Sequence, residues 1–449
     1  MKSKVSIILV SCLFAFTALS QAEVLSLDSC IERAKQHNCT IQSAKLNVAI
    51  SQEVKKQMLW KYFPQVNLNG MAYGAINPLV DIDILDASKN GLGEMLKDIL
   101  DFIKSVDPNV DISSELKLLR WGVSAQAQAV QPIYWGGKIV TANKLAKLGI
   151  DASKLQAEVS ERDVLQEVIE TYWLVSGLQQ KRQSVAKARA LLDSVDMVAN
   201  TAYIHGLVTR NDILKVQLKR NEIETKAMQL ENGIHIASRM LCHLVGMDYT
   251  EELQLDTLRE ISGVETLLLM PDSFSIEGRP ETQLLEMSIK YEKLMKRLSL
   301  GDALPKVLLG IQGGYSNLFE RNNFNGLAFM TVTIPLTQWG ETSHKLREHN
   351  LRIERAEMMK GNLREKLSLQ NEQVYDQMTE AIRLMEQHKA GVDLANDNYS
   401  NSLMNYKAGM TTITDLLEAE TLLLQAENAY TDSQITFLNS QRKYNDFNK

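Results

Sequence analysis

Two stretches of this chain, 133–270 and 336–449, contain none of its 8 prolines. Proline inside a helix removes a hydrogen bond and clashes with the preceding turn, so its exclusion over such lengths leaves the helix open as a continuous structure. Both stretches are rich in Leu, Ala, Gln, Glu, Lys and Arg and poor in glycine, which is helix composition. Apolar residues recur at steps of three and four. Val164, Val168, Tyr172, Val175 and Leu178 do so in the first stretch, and Val374, Met378, Ile382 and Met385 in the second. This spacing draws one apolar stripe along an otherwise polar helix.

Each stretch is interrupted once, at Ile204-His205-Gly206-Leu207-Val208-Thr209 and at Tyr406-Lys407-Ala408-Gly409-Met410-Thr411-Thr412. Gly206 and Gly409 suit the left-handed position that follows a helix. Thr209, and Thr412 or Thr411, suit the cap of the next one. The pattern predicts helical hairpins over 137–245 and 340–446. Segments 137–204 and 340–405 would each run to about 100 Å if continuous, too long for an ordinary globular core, and point to coiled-coil-like packing.

The remaining segments read as strands. Trp121, Val123, Ala125, Ala127 and Ala129 alternate with Gly122, Ser124, Gln126 and Gln128. Val307, Leu309, Ile311 and Tyr315 alternate with Gly310, Gln312, Gly314 and Ser316. Two further candidates, around 65–74 and 326–334, alternate less cleanly. This period fits a barrel strand of an outer membrane and equally a strand of a soluble sandwich. The aromatic residues tilt the reading. Trp60, Tyr62, Phe63, Tyr134, Trp135 and Trp339 gather where helix meets strand, the place of an aromatic belt at a membrane interface.

The chain is internally duplicated. Both halves run helix, Pro, strand, loop, strand, Pro, Trp-Gly, long helix, glycine turn, returning helix. Seventy-four residues separate Pro132 from Gly206, and the same 74 separate Pro335 from Gly409. Asp212 and Asp415 each follow their glycine by six. Equal spacing over that distance marks a repeat. The reading divides the chain into a leader at 1–22, a first repeat at 23–246, a segment at 247–279 and a second repeat at 280–449. The first repeat carries strands 64–74 and 121–131, a long loop at 75–120 and hairpin 137–245. The second carries strands 306–316 and 326–335 and hairpin 340–446. Within the loop, Met95, Leu96, Ile99, Leu100 and Ile103 predict a short amphipathic helix on an extracellular insertion. Four strands cannot close a barrel, and open edges are not tolerated in lipid, so several copies of the chain must contribute.

Lys2 and Lys4 followed by the apolar run Val5–Leu19, with Ser20 and Ala22 before the cut, form a secretory leader. Leu9-Val10-Ser11-Cys12 resembles a lipoprotein box, but the apolar run continues past Cys12. Cys30, Cys39 and Cys242 form no disulfide framework, and neither their spacing nor that of the 7 histidines matches a metal site. The net charge of −6 argues against nucleic acid as a partner. No phosphate loop, nucleophile elbow or metal spacing occurs, so the chain reads as a non-enzyme without cofactor or metal.

With these residues in view, the chain resembles the TolC-type outer-membrane efflux proteins over about 25–446. The carrying motifs are Gly206-Leu207-Val208…Asp212 and Tyr406…Gly409…Asp415-Leu416-Leu417-Glu418. The resemblance implies a mixed α and β-barrel subunit: a homotrimer with a twelve-stranded transmembrane barrel above a long periplasmic α-helical barrel. The segment 246–279 would belong to an equatorial belt. It implies an exit duct for a tripartite efflux or type I secretion system, in outer-membrane lipid, served by a periplasmic adaptor and an inner-membrane pump of RND or ABC type. The alternative is a structural or adhesive coiled-coil protein of the envelope without channel activity. The family pattern puts Gly206, Leu207, Val208, Gly409 and Met410 at the adaptor contact. It puts Tyr406 and Asp212 in a gate-locking pair, and Asp415 and Glu418 in an acidic ring at the constriction. Thr411 departs from the pattern, where a basic residue often stands. Asp212 and Asp415 are also first-turn residues that the helix dipole favours, and the two readings are compatible.

Overall fold

The computed structural model describes residues 25–76, 80–83, 101, 115–118, 121–249, 253–256, 276–317 and 322–448, with backbone alone at 80–83 and 115–118. The leader, Cys12 and the predicted loop helix at Met95–Ile103 lie outside the described residues, apart from the backbone of residue 101. In chain order the elements are α1 (Leu27–His37), α2 (Cys39–Trp60), β1 (Gln65–Gly74), β2 (Val80–Asp83), β3 (Glu115–Leu118) and β4 (Trp121–Trp135). Then come α3 (Lys138–Ile204), α4 (Arg210–Val245), α5 (Pro280–Leu300), β5 (Lys306–Ser316), β6 (Asn323–Thr333), α6 (Gln338–Lys407) and α7 (Ile413–Phe447). They fall into two compact units, one within Ser51–Ile150 and Ser288–Ala356, the other within Met1–Ile50, Asp151–Met287 and Glu357–Lys449.

The first unit holds a four-stranded antiparallel sheet in the order β1-β4-β5-β6. The registers show which alternating residues share a face. Val66, Leu68 and Ala72 pair with Ala129, Ala127 and Val123. Ala125 and Ala129 pair with Tyr315 and Ile311, and Leu309, Ile311 and Tyr315 with Met330, Ala328 and Phe324. Directly paired residues share a face, so these apolar residues of all four strands lie on one side. The other side is mixed: it carries Asn67, Asn69, Ser124, Gln126, Gln128, Gln312 and Asn325, with a Gln312 Nε2 to Gln126 Oε1 hydrogen bond of 2.7 Å, and also Met71, Tyr73, Leu308, Leu327 and Phe329.

Strand β4 runs four residues beyond the predicted end at 131, through Pro132. Proline has no N–H to give the ladder, and the register slips between Pro132 and Tyr134, so the strand continues through a bulge. The two Trp-Gly motifs prove structurally unequal. Gly136 and Gly137 take φ of 55° and 71° and turn the chain from β4 into α3, whereas Gly340 lies inside α6. A second small ribbon, β2 paired with β3, stands in the long loop where no strand was predicted.

The second unit is helical. The sequence stripes are its core: Val164, Val168, Tyr172 and Val175 are buried with Cys30, Leu241 and Cys242, and Met378, Ile382 and Met385 with Phe437 and Tyr444. Each such side chain contributes about 1.5–3 kcal/mol by leaving water. The pattern spanning Cys30 and Cys39 is two helices, not one. The break is Asn38, whose Oδ1 accepts from Thr40 and Ile41 N–H (2.9 and 3.3 Å), while its Nδ2 donates to Leu244 O (2.9 Å). Asn38 thus caps α2 and fastens it to the end of α4. Burial pushes the Cys30 thiol up to about 12, which leaves it a core hydrophobe rather than a nucleophile. Ahead of α1, Leu25 forms a parallel bridge with Leu255 of the segment that follows α4, and Tyr172 Oη donates to Leu25 O (3.1 Å).

Candidate functional site

The two interhelical turns belong to the helical unit and are built atom for atom alike. After α3, Gly206 (φ 72°) donates to Tyr203 O and Leu207 N–H to Ala202 O, both at 2.9 Å. After α6, Gly409 (φ 71°) donates to Tyr406 O (3.0 Å) and Met410 N–H to Asn405 O (2.8 Å). These paired bonds close the helix end and demand a left-handed residue that glycine supplies without strain. The next helix then starts on a threonine. Thr209 Oγ1 accepts from Asp212 N–H (3.3 Å), and Asp212 Oδ2 accepts from Thr209 N–H (3.0 Å) and Oγ1 (2.7 Å). Thr412 and Asp415 repeat this at 3.3, 3.0 and 2.8 Å. Of the two candidate caps in the second half, Thr412 is the one used. The turns present Leu207 and Met410 to solvent at 78% and 77% exposure, beside exposed Ile204, with Val208 half-buried.

Both aspartates are held below the usual carboxylate range. For Asp212 the Thr209 hydroxyl is the main cause, then the Thr209 N–H, with Lys215 adding its charge. For Asp415 it is the Thr412 hydroxyl, then the Thr412 N–H. Within one chain each aspartate therefore serves its own helix cap. Tyr406 is half-buried, and burial followed by the charge of Asp212 pushes its phenol up. Their side chains are neighbours electrostatically, but no hydrogen bond joins them. Glu418 is exposed one turn beyond Asp415. Where Thr411 withholds a basic residue, the other hairpin provides one: Lys215 Nζ donates to Thr414 Oγ1 (2.8 Å) and lies 3.9 Å from Asp212 Oδ1. Reading each turn by itself could not find this cross-hairpin tie.

Behind the turns, α3, α4, α6 and α7 converge on one cluster that includes Leu192, Val195, Val216, Ile223, Ile413, Leu416 and Leu424, with Tyr399 and Tyr406 against it. Inside it lies a residue the sequence reading passed over, Glu420, at 3% exposure. Its signal was present: Ile413, Leu417, Glu420 and Leu424 follow the four-three-four spacing of a coiled-coil seam.

In the sheet unit the aromatics expected at a membrane interface, Trp60, Tyr62, Phe63, Tyr134, Trp135 and Trp339, are all exposed, and the Trp60 and Phe63 rings lie 5.3 Å apart. The apolar sheet face is exposed as well, with Leu68 at 79% and Phe324 at 82%. Elsewhere in this unit Ser299 Oγ, His349 and Glu292 form a hydrogen-bonded chain (3.2 Å to Nε2, 2.9 Å from Nδ1), with Arg352 3.7 Å from Glu292. The order resembles a nucleophile relay. Ser299, however, lies within helix α5, whose amides are committed to the helix and offer no oxyanion hole. The chain ties α5 to α6. Among the described residues, no helix is long and apolar enough to cross a membrane, and no group of three or more His, Cys, Asp or Glu could hold a metal.

No protein-family model matches the sequence. The alkaline protease secretion protein AprF of Pseudomonas aeruginosa is 24% identical over 242 residues, covering 51% of this chain and 50% of AprF. The chain thus aligns with about half the length of that relative. The Campylobacter jejuni CmeC outer membrane channel superposes with a TM-score of 0.73 at 14% identity, covering 92% of this chain and 83% of CmeC. This chain has the TolC-type channel fold. The outer membrane protein VceC of Vibrio cholerae shares it, with a TM-score of 0.71 at 15% identity over 94% and 96% of the two chains. The chain is predominantly helical with a small four-stranded antiparallel sheet, in keeping with that fold.

Proposed function

We propose that this chain is one subunit of a homotrimeric exit duct in the outer membrane of a Gram-negative cell. It would pass substrates outward from an inner-membrane pump and a periplasmic adaptor, without chemistry of its own. The single observation that carries the reading is the sheet: an exposed, largely apolar face spanning four strands, an opposite face that gathers most of the sheet's Asn and Gln side chains, and, among the described residues, edges at β1 and β6 with no strand beside them. In water that face would be a liability. In lipid it is what a barrel wall requires, provided the edges meet strands of other copies. The same observation weighs against a coiled-coil scaffold, which has no use for an apolar sheet flanked by exposed aromatics. The matches to CmeC and AprF support channel and secretion roles respectively, and the pump can be of RND or ABC type.

In the trimer, Asp415 and Glu418 of three copies would place six carboxylates around the narrow end. Closely spaced like charges attract cations and raise one another's pKa, opposing the depression that Thr412 imposes on Asp415 within one chain. The Lys215–Thr414 tie, with Tyr406 beside Asp212, would hold the two hairpins together in the closed state. An exposed tie of this kind contributes up to about 1 kcal/mol, weak enough for an adaptor seated on Leu207 and Met410 to overcome. Single-channel recording in a planar bilayer tests the reading. A small, cation-preferring conductance whose selectivity falls in the Asp415→Asn/Glu418→Gln variant is expected. Monomeric protein that neither inserts nor conducts would overturn it.

A further inference from the structure

Glu420 occupies a seam position of α7 where its neighbours Ile413, Leu417 and Leu424 are apolar. It is nine-tenths buried, and neither carboxylate oxygen accepts a hydrogen bond from any protein group. An ionised carboxylate so placed lacks water and lacks a partner, which is costly. The two cations whose charge acts on it are engaged elsewhere. On α4, Lys219 and Lys226 both bind Glu222, at 2.9 and 2.5 Å. On α6 the carboxylate faces Tyr399, whose phenol is pushed up by burial and then by the charge of Glu420. Beside it a cavity of about 350 Å³ opens between α3, α6 and α7, lined by Lys187, Asn396, Tyr399, Glu420 and Glu427 among others.

We propose that Glu420 is a proton-binding site inside the four-helix junction, and that its protonation sets how tightly α7 is held against α4 and α6. Protonated, the side chain is a neutral group that the seam accommodates. Ionised, it must either admit water through the cavity or draw Lys219 or Lys226 away from Glu222. Both loosen the packing between the two hairpins directly behind the turns.

The charges around it set the direction. Desolvation raises the proton affinity of Glu420, Glu222 raises it further, and Lys219 and Lys226 lower it. A carboxylate with a raised folded-state pKa contributes stability that is fully present below its unfolded value and is lost as pH rises through the folded value. The hairpins are therefore tightest in acid and loosen toward neutral and alkaline pH.

The test is hydrogen–deuterium exchange on the full-length protein in detergent between about pH 4 and pH 8, corrected for intrinsic exchange, for wild type, Glu420→Gln and Lys219→Met. Peptides covering 413–424 should lose protection in the wild type as pH rises, by about tenfold for each unit of pKa elevation. Glu420→Gln, which imitates the neutral acid, should hold its protection across the range. Lys219→Met should move the wild-type midpoint upward, a readout that survives if the Gln variant folds poorly. Parallel pH profiles in wild type and Glu420→Gln would overturn the proposal. So would a midpoint that Lys219→Met leaves in place or lowers, or one at or below the ordinary 4.5, the result expected if a basic side chain of a second copy paired with Glu420. The proposal adds to the channel reading without depending on it: absent conductance with this exchange pattern intact would defeat only the channel, and the converse only the proton site.

Discussion

Gly136 and Gly137 offer an internally controlled test of the junction between sheet and helix. Both hold a left-handed backbone, φ 55° and 71°. A Cβ added to Gly137 would meet open space, whereas one added to Gly136 would lie 2.2 Å from Gly301 O and 2.9 Å from Gly301 Cα. Gly137→Ala therefore carries the left-handed penalty alone, about 1–2 kcal/mol. Gly136→Ala carries that penalty plus the backbone displacement that overpacking forces, about 1–3 kcal/mol more. Gly206→Ala in the helical unit, also left-handed and facing open space, should match Gly137→Ala. Thermal unfolding of the three variants in detergent, followed by circular dichroism at one scan rate, measures the order. A common scan rate matters because unfolding of large proteins is often kinetically controlled. Gly136→Ala must have the lowest midpoint and the other two must agree. Equal midpoints throughout, or a lower one for Gly137→Ala, would refute the close approach of Gly136 to Gly301.

Thr209→Ala and Thr412→Ala each remove the hydroxyl half of a capping box, leaving the aspartate's bond to the cap N–H, and should cost about 0.5–2 kcal/mol, seen as faster amide exchange in the first turns of α4 and α7. The depressed pKa of Asp212 and Asp415 gives those turns stability that is present above the unfolded carboxylate value and lost as pH falls through the folded one. Exchange at the turns should therefore accelerate below about pH 4 in the wild type and not in the Asp212→Asn/Asp415→Asn variant. On the sheet, Ile311→Lys or Leu68→Lys should cost about 2–4 kcal/mol if the apolar face meets lipid, while Gln126→Lys on the polar face should leave membrane fractionation unchanged. Equal loss for both faces would contradict the lipid assignment.

Much of this fold was legible because its periods are long and clean. The stripe from Val164 to Val175 repeats often enough to identify both helix and buried face, and the turns announce themselves through Gly206 and Gly409 at equal spacing. The strands were legible as elements but ambiguous in environment, since alternation names two faces without saying what each strand lies beside. Only register put Ala129, Ile311 and Ala328 on one surface. What stayed hidden is what depends on residues distant in sequence. Nothing near Gly136 reveals Gly301, and nothing near Thr414 reveals Lys215. Glu420 is intermediate: its seam spacing was readable, but among many solvated carboxylates only the converging helices single it out.

The two capped turns and the sheet differ in how much chain each must bring together. Every bond in a turn joins residues three to five apart, whereas the Gln312–Gln126 hydrogen bond between β4 and β5 spans 186 residues. Loop closure of that length is entropically dearer and kinetically later. The hairpins can thus form as soon as their own sequence is available, while the apolar face does not exist until both halves of the chain have met. A newly exported chain accordingly travels with its greasiest surface unassembled, divided between β1–β4 and β5–β6 pairs. The two are joined at the β4–β5 seam only when the second half of the chain meets the first.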